Sequence, residues 1–233
     1  MKSVYDCVPT KVILGRWGLS ESTLCNKCQA EESLEHVLCA CKVALSEGRF
    51  TWRHNKVLET IREIVKAGSI KVGRQESIKF VREGTTPKRA EEVSEGIKDR
   101  SEQWEVLVDL EKRLVFPQDI VITTLRPDMV LMHRSLKRIV IMELTVPWED
   151  RMDEAHERKG LKYEDLRQRC VQAGWKASCY AVEVGCRGFA GVSLRIFLRD
   201  IGIGGKQLRT GVERVAASAE KASAWLWLKR GEG

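Results

Sequence analysis

Apolar residues change their period along this chain of 233 residues, and the changes mark its elements. Leu58, Ile61 and Val65 fall at i, i+3 and i+7, and Gly68 stands just beyond Lys66. That spacing predicts a helix opening at Arg53-His54-Asn55-Lys56 and stopping at the glycine. Residues 68–100 are polar and charged, broken by Gly73, Gly84 and Pro87, with an apolar patch at 78–81; they read as a linker carrying an edge strand. From 90 to 114, Val93, Ile97, Trp104, Leu107, Val108 and Leu114 make a loose helical stripe, which predicts a long helix.

The period then shortens. Ile120-Val121-Ile122, Met129-Val130-Leu131-Met132 and Ile139-Val140-Ile141-Met142 are β-prone runs divided by turn-forming or polar residues, so three consecutive strands are expected, the third ended by Pro147. Residues 149–172 read as a helix with acids crowded at its start, where the helix dipole favours them. A strand over 178–184, a loop spaced by Gly185, Gly188 and Gly191, an amphipathic piece over 193–198 and a helix over 207–228 complete the chain. The order predicts an α/β fold.

Composition is that of a folding chain, 43% hydrophobic and 31% charged. Forty Lys and Arg against 33 Asp and Glu leave a formal charge of +7, which favours a polyanionic partner without naming one. No apolar run is long enough to span a membrane and no secretory signal is visible, so a reducing compartment is expected. Half of the eight cysteines crowd into residues 25–41 beside a histidine, a pattern that points to metal rather than disulfides.

Cys25-x2-Cys28-x7-His36-x4-Cys41 offers three thiolates and one imidazole, the tetrahedral shell that structural Zn(II) prefers. Cys39 lies three residues after His36 and competes with Cys41 for the fourth position. A closed four-ligand shell leaves no open coordination position, so its expected role is to fold a small module.

A second constellation is Arg126-Pro127-Asp128 and, after 14 intervening residues, Glu143-Leu144-Thr145. Carboxylates at the ends of neighbouring strands suit Mg(II), which keeps several waters, generates hydroxide and neutralises a scissile phosphate. No lysine stands two residues after Glu143; Lys159 and Lys162 on the next helix can reach back instead. The same residues also fit a turn aspartate, a surface ion pair and a solvated helix face, and residue types alone do not choose between these readings.

Taken together, Cys25-Asn-Lys-Cys28, His36, Cys41, Arg53-His54-Asn55, Arg126-Pro127-Asp128, Glu143-Leu-Thr-Val-Pro147 and Lys159-x2-Lys162-Tyr163 resemble the C-terminal region of site-specific non-LTR retrotransposon polyproteins. Those end in a zinc knuckle and a restriction-like endonuclease of the PD-(D/E)xK type. The likeness runs over roughly residues 8 to 230. It departs where Glu143 stands in place of the aspartate of the best-known members, and in that no reverse-transcriptase motif precedes Cys25.

The resemblance implies a restriction-endonuclease-like mixed sheet flanked by helices and preceded by a zinc knuckle. It implies a module at 1–67, a linker at 68–100 and a nuclease domain at 101–233. Asp128 and Glu143 would hold catalytic Mg(II), Lys159 and Lys162 would complete the active site, and Cys25, Cys28, His36 and Cys41 would hold structural zinc. Arg53, His54, Arg126, Arg158 and Tyr163 are the implied DNA contacts. The expected activity is nicking of duplex DNA in the nucleus, with element RNA as a further partner and no membrane. The alternative is a zinc-containing DNA-binding protein, or a decayed element fragment, without catalysis.

Overall fold

The structure is a computed structural model that describes residues 8–68, 104–110 and 114–232. Its centre is a mixed four-stranded sheet in the order β1-β2-β3-β4: β1 (Glu105–Val108), β2 (Met129–His133), β3 (Arg138–Thr145) and β4 (Lys176–Glu183). The first three strands are antiparallel neighbours, and β4 joins β3 in parallel after a helical crossover. Both faces are covered, which is why the strands read as continuous apolar runs rather than alternating ones.

On one face, Val130, Met132, Ile139 and Ile141 pack against Tyr163, Leu166 and Cys170 of α4 (Met152–Gln172). On the other, Met129, Leu131, Met142, Leu144 and Val182 meet α3 (Arg49–Ala67), α5 (Val192–Asp200) and α6 (Gly205–Leu228). Helix α3 buries the expected Leu58, Ile61 and Val65 together with Val57 and Ile64, and it begins about one turn earlier than the sequence suggested, at Arg49. It lies close on α6 because Gly211 has no side chain: a Cβ there would sit 3.3 Å from Ile64 Cγ2. The knuckle contributes Leu34, Val37 and Leu38 to this same core, so the cysteine-rich segment and the sheet share one apolar interior. Two short helices, α1 (Lys11–Arg16) and α2 (Lys42–Ser46), flank it; α1 is capped by Thr10, whose hydroxyl accepts the Ile13 amide at 3.2 Å.

Two sequence expectations are corrected. Residues 105–108 belong to β1 instead of closing a long helix: Val106 and Val108 join one core cluster and Leu107 the other, a two-residue period fixed by pairing with β2. Trp104, Asp109, Leu110 and Leu114 are not helical either, and 90–103 and 111–113, like the edge strand at 78–81, fall outside the described residues. Ile120-Val121-Ile122 is no strand; Ile120 and Val121 are buried over α4 as a covering loop, while Ile122 faces solvent. Here burial without ladder bonds produces the same apolar run as a strand.

Candidate metal centre and active-site cleft

The knuckle is built by a tight turn. Cys25 N–H donates to Ala30 O at 2.7 Å, Gln29 adopts a left-handed φ of 61°, and Leu24 bridges to Glu31, so Cys25 and Cys28 face one point. The second half is a π-helical turn over His36–Ala40, closed by Cys41 N–H donating to His36 O at 2.8 Å. A wider i→i+5 turn brings residues five apart onto one side of the helix, which places Cys41 beside His36. The ligand atoms of Cys25, Cys28, His36 and Cys41 all lie within 4.8 Å of one another. Cys41 Sγ is 3.8 Å from Cys28 Sγ, matching the edge of about 3.8 Å that Zn–S bonds of about 2.3 Å give a tetrahedron.

These four residues therefore form a potential zinc site. Burial holds the His36 imidazole below its ordinary value, against the pull of Glu32, and so favours the neutral form that binds metal. The same turn directs Cys39 away. It faces Cys186 and Arg53, and its thiol is lowered to about 7 by the Cys186 hydrogen bond and, against burial, by the Arg53 charge. The choice left open between Cys39 and Cys41 falls to Cys41.

The acidic pair comes together at the open end of the sheet. Asp128 immediately precedes β2 and Glu143 lies in β3. The Asp128 N–H donates to Glu143 Oε2 at 3.3 Å, and the Leu144 N–H donates to Asp128 Oδ2 at 2.7 Å. Glu143 is 4% exposed, and Lys159 of α4 brings Nζ to 2.6 Å from its Oε1, with Lys162 Nζ at 3.5 Å. Two helix-borne lysines thus converge on the strand carboxylate. A cavity of about 340 Å³, lined among others by His54, Asp109, Arg126, Asp128 and Lys162, opens at Asp128, with Glu143 buried behind it. Two oxygen-donor carboxylates on adjacent strands beside an open cavity suit a hard divalent cation with retained waters.

His54 enters this cleft from α3. Its Nε2 lies 3.2 Å from Asp128 Oδ2, and its Nδ1 lies 3.2 Å from Asn55 Oδ1, while Asn55 Nδ2 holds the Leu110 carbonyl at 2.8 Å. Burial pulls the His54 pKa down, but the Asp128 hydrogen bond and charge outweigh it, so the value ends above the ordinary one. His54 is a partner of the acidic pair, a role the sequence reading missed. The signal was a histidine beside an asparagine that can orient it.

Two implied DNA contacts are corrected. Arg53 is 2% exposed, and its guanidinium donates to Leu38 O at 2.7 Å, Val146 O at 3.1 Å and Ser223 Oγ at 3.2 Å. Those bonds knit knuckle, sheet and α6 together, and burial keeps the guanidinium out of reach of a phosphate. Tyr163 is fully buried, with its hydroxyl donating to Arg126 O at 2.9 Å. Burial first, and then the Glu143 charge, push that phenol well above its ordinary value, so it stays a donor that fixes the loop before Asp128. Arg126, on the cavity rim, and Arg158, on α4, are exposed.

The sequence reading also passed over Glu183 and Ser193, an acid closing an apolar strand and a serine past a glycine loop. Among the described residues no helix is long and apolar enough to cross a membrane. Neither a scan against protein-family models nor a search of curated proteins finds a match.

Proposed function

We propose that this chain is a metal-dependent endonuclease that nicks duplex DNA, with a fold of the restriction-endonuclease type and an origin in a non-LTR retrotransposon polyprotein. The observation that carries the reading is the convergence of Asp128 and Lys159 on Glu143, with the lysine supplied by the helix after β3. Asp128 and Glu143 would hold Mg(II), which when bound supplies a hydroxide nucleophile and charge neutralisation at the phosphate. Lys159 offsets the buried Glu143 charge and stands where an anionic phosphate arrives; Lys162 adds a second cation. His54 and the Leu144 amide fix Asp128 Oδ2, so the carboxylate is oriented before substrate enters. Zinc at Cys25, Cys28, His36 and Cys41 holds the segment from which α3, and with it His54, emerges. The reading places the protein in the nucleus, acting on DNA, with element RNA as a further partner.

Incubation of supercoiled plasmid with purified protein and Mg(II) tests it. Wild type is expected to convert the plasmid to the nicked form and Asp128→Ala to leave it supercoiled. Equal nicking by both would overturn the assignment of the cleft, and DNA retention without nicking by wild type would leave a DNA-binding protein.

A further inference from the structure

Beside the acidic pair, on the same seam between α4 and the sheet, lies a second buried acid that the proposed reaction does not use. Glu183 ends β4 and pairs in register with Thr145, two residues beyond Glu143. Odd-numbered residues of both strands face α4, as Ile139, Ile141, Ala177 and Cys179 do, so Glu143 and Glu183 look toward one helix. A step of about 4.8 Å to the next strand and about 6.6 Å along it sets their Cα atoms roughly 8 Å apart. The helix repeats the pattern: His156 precedes Lys159 by three residues, about 4.5 Å along the axis, and meets Glu183 as Lys159 meets Glu143.

Glu183 is 4% exposed. Its Oε2 accepts the Ser193 hydroxyl at 2.7 Å and lies 3.0 Å from His156 Nδ1, and its own amide donates to Ser193 Oγ at 3.2 Å. A tight return of the chain delivers Ser193 there, and a Cβ at Gly191 would come within 2.8 Å of the Glu183 carbonyl oxygen. Glu183 Oε1 is buried and has no hydrogen-bond partner among the described residues. Burying a carboxylate with one oxygen unpartnered is costly. The imidazole it grips is 53% exposed, so this cost fixes a ring that faces solvent rather than closing a core. With Nδ1 held by the carboxylate, Nε2 on the far side of the ring points away from Glu183.

We propose that His156 is a phosphate-binding residue. Its Nδ1 is held against Glu183 and its Nε2 faces the DNA phosphate next to the one at Asp128 and Glu143. The inference rests on reading the cleft as a DNA site. At three-residue spacing His156 continues the row of Lys159 and Lys162 along α4.

The test is duplex-oligonucleotide binding by the zinc-loaded full chain, followed by fluorescence anisotropy over a KCl series without Mg(II). Each neutralised phosphate contributes about 0.9 to the log–log salt slope, so His156→Ala should lower the slope by about 0.9 and weaken binding roughly tenfold at low salt. Glu183→Gln should lower the slope in the same direction, and His133→Ala, at the half-buried end of β2, should leave it unchanged. Should Glu183→Gln fail to fold, the half-exposed His156→Ala decides alone. A His156→Ala slope equal to that of wild type sinks the inference even if wild type nicks DNA. Salt-dependent binding that falls in His156→Ala, without nicking by wild type, sustains it and removes the nuclease reading. Absence of salt-dependent DNA binding by wild type removes both.

Discussion

Replacing Arg53 by methionine separates an architectural arginine from a DNA contact. Methionine keeps the aliphatic stem but removes every donor, leaving the carbonyl oxygens of Leu38 and Val146, which Arg53 meets at 2.7 and 3.1 Å, without that partner. Each buried acceptor so abandoned costs about 1–3 kcal/mol, which sums to about 4 kcal/mol at the middle of the range. Removal of a desolvated guanidinium whose Nε already lacks a partner returns about 1 kcal/mol of this. The net loss expected is therefore about 3 kcal/mol. With a urea m-value of about 3 kcal/mol/M for a chain at the large end of single domains, the unfolding midpoint should fall by about 1 M. Tryptophan fluorescence against urea reads it directly. Below the transition, the folded variant should bind DNA with the salt slope of wild type. A stability change under about 0.5 kcal/mol, the scale of an ordinary surface substitution, together with weakened DNA binding, would refute the reasoning and return Arg53 to the interface.

Three further outcomes are expected. Cys41→Ala should lose stoichiometric zinc by metal analysis while Cys39→Ala keeps it, because only Cys41 lies with the other three ligands; the reverse result would place the fourth ligand at Cys39. Lys159→Met should slow Mg(II)-dependent nicking by on the order of 10²-fold, and Lys162→Met by less, since Lys162 stands 3.5 Å rather than 2.6 Å from Glu143 and is more exposed; equal rates for Lys159→Met and wild type would exclude Lys159 from the reaction. The raised pKa of His54, set by Asp128 against burial, means that its contribution is fully present below the unfolded value of about 6.5 and is lost as pH rises through the folded value. Wild type should accordingly exceed His54→Gln in stability at pH 5.5 by more than at pH 8.5 in parallel thermal melts, and a gap that grows with pH would show that the Asp128 contact does not set the titration.

Local spacing made much of this protein readable. The zinc ligands fall within one short segment, so their side chains meet through turn geometry alone. The runs at 129–132 and 139–142 are strands buried on both faces, and α3, α4 and α6 carry apolar stripes whose period is set by the helix itself. Among the zinc ligands, spacing fell short at Cys39 against Cys41, because an α-turn and a π-turn bring different residues round to His36, and the backbone bond from Cys41 to His36 selects the second.

What the sequence could not determine depends on partners far along the chain. Residues 105–108 are too few to display a period, and their pairing with β2 makes them a strand, whereas 120–122 shows the same apolar character without a ladder. Arginine in a polar stretch reads as surface, yet Arg53 is buried because the knuckle, the sheet end and α6 each present a group that it satisfies. His54 reaches Asp128, and His156 reaches Glu183, across separations that no local pattern encodes. The chain itself determined which residues could carry chemistry. Tertiary structure decided which of them meet, since hydrogen bonds and ion pairs act over a few ångströms in space, whatever the distance along the sequence.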